Sequence, residues 1–173
     1  MSETLVYIIF LIPLAVIIAY YDIRYRRIPN PFVLATLAAG VAMNAILGGM
    51  QGVYTSLAGC GLAFTLMFLL HLFGAMGAGD VKLFAAIGAV LGSHLVVPTF
   101  LVVVITGGLL AVVSILRART VITTMQRVLM IFVGMLPGWR MPQFSVPLDR
   151  KYTIPYGVAI TLGSIISTAV FHA

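Results

Sequence analysis

Tyr20-Tyr21-Asp22-Ile23-Arg24-Tyr25-Arg26-Arg27-Ile28-Pro29-Asn30-Pro31 marks where the first apolar run of the chain stops and the second begins. Before it lies Thr4–Tyr21, an uncharged run about as long as a helix needs to cross a hydrocarbon layer. The run ends abruptly in an acid, three arginines and two prolines, which together forbid continuation of an apolar helix. It has no basic start, since Glu3 is its only early charge. It also ends in Tyr20, Tyr21 and Asp22 rather than in small residues at a cleavage site. The run therefore reads as a retained first span rather than a signal peptide.

Working outward from this junction, the same alternation repeats. Span two is expected at Phe32–Leu47, ended by Gly48-Gly49, and span three at Val53–Phe73. A glycine-rich link, Gly74-Ala75-Met76-Gly77-Ala78-Gly79, leads into span four, Asp80–Leu91. Gly92-Ser93-His94 turns the chain into span five, Leu95–Leu116, and span six covers Thr153–Phe171. Between spans five and six, Thr120–Met135 is apolar but interrupted by Gln126 and Arg127, which suits a helix lying in the cytoplasmic interface rather than a seventh span. Residues 136–150 hold three prolines and read as an extended loop, with Trp139 at headgroup level. The expected fold class is an all-α integral membrane protein of six transmembrane helices with one cytoplasmic interfacial helix, in a single membrane-embedded domain over residues 1–173.

Composition supports a lipid solvent. Hydrophobic residues make up 62% of the chain and charged residues 8%, with a mean hydropathy of +1.16. Soluble domains carry about a quarter charged residues. The single cysteine, Cys60, rules out an internal disulfide and a paired-cysteine zinc site. His71, His94 and His172 fall at different depths and faces, so no metal site and no cofactor are expected.

The net charge of +6 is better explained by membrane orientation than by a nucleic-acid partner. With six spans, all ten basic residues fall on the side away from the N-terminus: Arg24, Arg26, Arg27, Lys82, Arg117, Arg119, Arg127, Arg140, Arg150 and Lys151. That side is then cytoplasmic and both termini lie outside the inner membrane. Removing one span would scatter these charges over both faces.

Only four acids are present: Glu3, Asp22, Asp80 and Asp149. Glu3 is terminal and Asp149 lies in the polar loop, so solvated surface charge accounts for both. Asp22 and Asp80 sit at the cytoplasmic ends of apolar helices, where an ionisable side chain is costly and is a functional candidate. A salt bridge to a neighbouring arginine or to Lys82 is the plain alternative, and two acids at one depth weigh against it. The twelve residues of span four reach only about 18 Å as a helix, against roughly 30 Å of hydrocarbon. Either the helix begins earlier or Asp80 lies below the surface, with the glycine link descending as irregular backbone. Two carboxyls facing one water can perform acid–base hydrolysis. At close range they do not both ionise, and they titrate as a coupled unit.

Gly77-Ala78-Gly79-Asp80 matches the GxGD signature of membrane aspartyl proteases, and the run from Gly74 to Leu83 resembles the type IV prepilin peptidases in particular. Asp22 with its basic loop and Ile28-Pro29 resembles their first catalytic aspartate, and Pro155-Tyr156-Gly157 resembles their Pro-Tyr/Phe-Gly element. The resemblance implies Asp22 and Asp80 as catalytic residues. It implies Gly77, Gly79, Lys82, Pro155, Tyr156 and Gly157 as substrate-binding or supporting residues, although Lys82 is also explained by snorkelling. It further implies cleavage of the basic leader from prepilin or pseudopilin substrates at the cytoplasmic face, with the lipid bilayer as the other partner. A homo-oligomer is left open. Larger bacterial members have an N-terminal cytoplasmic region with paired cysteines linked to methylation. Here the loop between spans one and two is short and lacks cysteine, which argues against methyltransferase activity and an S-adenosylmethionine site. The size resembles the short peptidases of Flp/Tad-type pili, and also archaeal preflagellin peptidases; the Flp-type reading is favoured.

A small proton-coupled transporter using Asp22 and Asp80 as relay groups is the main competing reading. It predicts internal repeats and helices broken at mid-membrane, and the sequence shows no repeat. A non-catalytic scaffold in pilus assembly is the third.

Overall fold

Apolar side chains that recur every three to four residues form helices whose buried faces can be read directly in a computed structural model, which describes residues 3–25, 27–72, 76–117 and 156–171. Among the described residues there are five helices and no strands. They are α1 (Glu3–Tyr25), α2 (Asn30–Leu72), α3 (Ala78–Leu91), α4 (Ser93–Arg117) and α5 (Tyr156–Phe171). Three of them contain segments long and apolar enough to cross a membrane: Leu5–Tyr25, Asn30–Leu72 and Ser93–Val113. The expected interfacial stretch Thr120–Met135, as well as Arg26, Gly74, Ala75, Trp139 and Pro155, lie outside the described residues. The chain divides into two compact units, Met1–Gly107 with Pro155–Ala173, and Gly108–Ile154. Asp22, Asp80 and Gly157 all belong to the first.

Helix α1 buries Tyr7, Leu11, Leu14, Ala15, Ile18 and Asp22, one continuous stripe at helical spacing. Its opposite face leaves Ile9, Ile12, Val16 and Ile23 exposed, as expected of a surface meeting lipid tails. The helix runs four residues beyond the expected end at Tyr21. Asp22 is therefore inside the last turns of a helix, on its buried face, rather than in the loop that follows.

Spans two and three appear as the two arms of α2. The expected break is at Gly49, whose φ of 58° and ψ of −140° lie outside helical space and favour glycine. A side chain at Gly52 would collide with the Asn44 carbonyl oxygen. In a straight helix those residues would stand about 12 Å apart, so the chain reverses between them. The arms meet α3 with small or polar residues: Gly40 and Asn44 on one, Ser56, Gly59 and Ala63 on the other. Small side chains let backbones approach. An added Cβ at Gly40 would fall 2.7 Å from the Val90 nitrogen, and one at Gly59 would strike the Gly88 carbonyl.

Helix α3 is the centre of this packing, buried at every residue from Leu83 to Leu91. It begins at Ala78, two residues before Asp80, and its 14 residues reach only about 21 Å. A helix this short falls well under the roughly 30 Å of a hydrocarbon layer, and its last carbonyls, buried in the bundle, need partners. They find them. Asn44 Nδ2 donates to the Ala89 and Val90 oxygens at 3.0 and 2.9 Å, and Ser56 Oγ donates to Ala89 O at 2.7 Å. Gly92, at φ 74°, turns the chain and donates to Gly88 O at 3.0 Å. Tyr7 of α1 in turn donates to Asn44 Oδ1 at 3.2 Å. One buried amide thus ties α1, α2 and α3 together.

Helix α5 packs beside α1 and α3. It meets α4 through the Thr99 hydroxyl, which donates to Ser167 Oγ at 2.9 Å. Its buried Thr161, Ser164 and Thr168 hydroxyls donate to carbonyls one turn back in their own helix. Among the described residues, no buried side-chain nitrogen or oxygen lacks a hydrogen-bond partner.

Candidate active site

Both aspartates are placed at helix N-termini, by different routes. Asp80 is the third residue of α3 and accepts a hydrogen bond at Oδ2 from the Gly77 N–H, at 3.1 Å, so it caps its own helix. The Gly77 carbonyl accepts the Asp80 and Val81 N–H groups at 3.1 and 3.3 Å. Asp22 reaches the start of a different helix. The Gly157 N–H, one residue into α5, donates to Asp22 Oδ2 at 2.7 Å. The first N–H groups of a helix have no partner within it and carry the positive end of its dipole, so a carboxylate is stabilised there. With only 7% of its surface exposed, Asp22 depends on that donor more than a solvated acid would.

The glycines of the motif serve proximity rather than unusual dihedrals. Gly77 has φ −79° and ψ 153°, an extended conformation open to any residue. Neither Gly77 nor Gly79 takes a positive φ. What Gly77 offers is space, because a Cβ there would lie 3.2 Å from Asp80 Oδ2. Gly157 is tighter still, since its Cβ would lie 2.8 Å from Asp22 Oδ2 and 3.1 Å from Ile18 Cγ2. A Cβ on Gly79 would make only ordinary contact, at 3.9 Å, with Ile28.

Ile28 is part of the short connection between α1 and α2, so that connection lies over the start of α3. The ring of Tyr21 in α1 and that of Phe32 in α2, 5.4 Å apart, close the same corner. Helix α5, whose first turn holds Asp22 and carries Tyr156, packs against both α1 and α3. A Cβ on Gly107 of α4 would meet the Tyr156 ring at 3.4 Å. Helices α1, α3 and α5 thus bring Asp22, Asp80, Gly77, Gly79, Tyr156 and Gly157 into one neighbourhood. Lys82 is exposed on α3, and Pro155 lies outside the described residues. Ile28 was marked in the sequence only by resemblance, as part of Ile28-Pro29, and Gly107 had no signal there; the place of each depends on which helices meet. Among the described residues, no three His, Cys, Asp or Glu side chains gather where they could hold a metal ion.

An arrangement of two carboxyls on separate membrane helices, each steadied by a helix N-terminus, has the parts of a hydrolytic acid–base pair. The model of the type IV leader peptidase family matches residues 9–112, more than half of the chain, and the chain belongs to that family. The match includes Asp22 and Asp80 and ends before α5. The prepilin leader peptidase/N-methyltransferase of Bacillus subtilis is 30% identical over 159 residues, covering 90% of this chain and 52% of that protein. The chain therefore spans about half the length of that relative. No solved structure matches it.

Proposed function

We propose that this chain is a membrane-embedded aspartyl endopeptidase that removes the basic leader from prepilin-like proteins at the cytoplasmic face, with Asp22 and Asp80 as its catalytic pair. One observation carries the reading. Asp22 is buried and held by Gly157 at the N-terminus of α5, the helix that packs against both α1 and α3, while Asp80 caps the N-terminus of α3.

In the proposed reaction one carboxyl is ionised and the other protonated. The ionised carboxylate takes a proton from water, and the water oxygen bonds to the scissile carbonyl carbon. The protonated carboxyl gives its proton to the carbonyl oxygen. The tetrahedral diol then collapses: the C–N bond breaks, the departing amine takes a proton from the carboxyl that had received it from water, and a diol hydroxyl returns its proton to the other carboxylate as the C=O bond re-forms. Both acids end as they began, and no covalent intermediate forms.

The proposed topology counts α1, the two arms of α2, α3, α4 and α5 as six crossings with both termini outside, and Thr120–Met135 as a cytoplasmic interfacial helix. Its support is the gathering of bases at one end: Arg24 and Arg27 flank the connection that carries Ile28, and Ile28 meets Gly79 three residues before Lys82. The methyl-transfer half of the relative's name is not carried over, because the connection between α1 and α2 is short and has no cysteine. The basic face of the protein does not attract a basic leader, so substrate binding rests on the apolar helix of the prepilin and on backbone hydrogen bonds.

The test is incubation of purified protein with a candidate prepilin and mass spectrometry of the products. A single cut between the basic leader and the apolar helix, absent in Asp22→Asn and Asp80→Asn, is expected. No cut by the parent protein, or a cut that survives either substitution, overturns the proposal.

A further inference from the structure

The Met76–Gly77 peptide group is held from both sides. Its N–H donates to Asp80 Oδ2 at 3.1 Å, and its carbonyl oxygen lies 2.7 Å from Nδ1 of His71, in the last turn of α2. A carbonyl can only accept, so the His71 Nδ1 carries the hydrogen. Neutral imidazole in that tautomer and imidazolium both have an Nδ1–H, so the bond persists in either protonation state.

The peptide group is planar, with its C=O and N–H pointing in opposite directions. Fixing the carbonyl therefore fixes where the N–H points. A donor on the carbonyl also polarises the group and strengthens its N–H as a donor in turn. We propose that His71 is a positioning residue for Asp80, acting through the Met76–Gly77 peptide, which it orients and polarises toward the carboxylate. The inference rests on the reading of Asp80 as one of the catalytic pair. The alternative role, a helix-terminal side chain that merely packs near Phe68 at 6.2 Å between ring centroids, would not depend on a donor at Nδ1.

Asparagine places an amide nitrogen at the same number of bonds from Cβ as Nδ1, whereas glutamine moves it one bond outward and leucine removes it. The experiment measures prepilin cleavage by His71→Leu, His71→Gln and His71→Asn, together with amide hydrogen exchange of the Gly77 segment in each purified protein. His71→Leu and His71→Gln should lower kcat about five- to tenfold with KM within twofold, the scale of one lost hydrogen bond. Exchange at Gly77 should be correspondingly faster, and His71→Asn should restore both. If His71→Leu does not fold, the glutamine–asparagine contrast decides the matter. Parent-like kcat and exchange in His71→Gln, or equal losses in His71→Asn and His71→Gln, overturn the proposal. A parent protein that cuts no prepilin would sink the peptidase reading alone, because the exchange arm still judges the tether.

Discussion

The Asp22 carboxylate accepts the Gly157 backbone N–H at 2.7 Å, joining the end of α1 to the start of α5 across 135 residues of sequence. The contact requires a residue without Cβ on one side and a buried acid on the other. It gives Asp22 a fixed place beside the positive end of a helix, at the end of the bundle where Asp80 caps α3.

Gly157→Ala should therefore be disproportionately harmful. Its methyl group would lie 2.8 Å from Oδ2 and 3.1 Å from Ile18, so α5 must shift or Asp22 must turn away. A loss of about 1–3 kcal/mol in stability and at least about tenfold in cleavage is expected. Gly79→Ala, whose methyl meets only Ile28 at 3.9 Å, should fold as stably as the parent. Thermal unfolding in detergent compares the two, and equal Tm losses would contradict the argument.

Asp22→Asn and Asp80→Asn separate chemistry from architecture. The amide oxygen can still accept the Gly157 or Gly77 N–H, so both variants should insert and fold, with a loss of about 1 kcal/mol from the weaker neutral bond. Cleavage should fall by about 10²-fold or more in each. A scaffold would keep its function with both changed, and a carrier would lose solute uptake while cleavage stayed intact.

Asn44→Leu should destabilise the bundle by about 1–3 kcal/mol, because it strips Val90 O of the Asn44 donor and leaves Tyr7 without its acceptor at Asn44. Ser56→Ala should cost less, under about 1 kcal/mol, since Ala89 O keeps its bond from Asn44. Denaturant unfolding of the two variants checks the ranking. A costlier Ser56→Ala would show that the capping account of the α3 C-terminus is wrong.

The substrate should be held mainly through its apolar helix. Shortening that helix by one turn should slow cleavage more than removing one leader lysine. Rates measured on the two altered prepilins test this directly, and the reverse order would refute it.

The proposed crossing pattern places Arg27 and Met50 on opposite sides of the membrane. In a Cys60→Ser background, Arg27→Cys should react with an impermeant thiol reagent only from the cytoplasmic side. Met50→Cys, beside the Gly49 break and 69% exposed, should react only from outside. Labelling of both from one side would remove the six-span arrangement.

Much of the architecture was legible because the signals are local. Gly48-Gly49 marked the reversal, since a backbone at φ 58° favours glycine and the apolar runs on either side are too long for one crossing. The stripe Leu11, Ile18, Asp22 follows from helical periodicity once α1 is extended by four residues. Asp80 as the cap of its own helix is only a three-residue relationship, but the sequence reading began the helix at Asp80 rather than at Ala78 and so did not contain it. Gly157 was marked only by resemblance, and nothing near it in the chain announces that its N–H serves Asp22. Asn44, a polar residue within an apolar run, drew no reading from the sequence, because the carbonyls it satisfies lie 45 and 46 residues away.

By itself, the sequence determined a helical chain suited to lipid, where its hairpin turns, and which two acids stand at helix ends, because hydropathy, helical period and glycine conformation act over a few residues. Only the tertiary structure decided that α5 begins beside Asp22, that Ile28 lies over Gly79, and that Asn44 and Ser56 cap α3 within the bundle. Those outcomes depend on which helices approach closely enough for backbone to meet side chain, and that closeness is set by small residues on different helices fitting together.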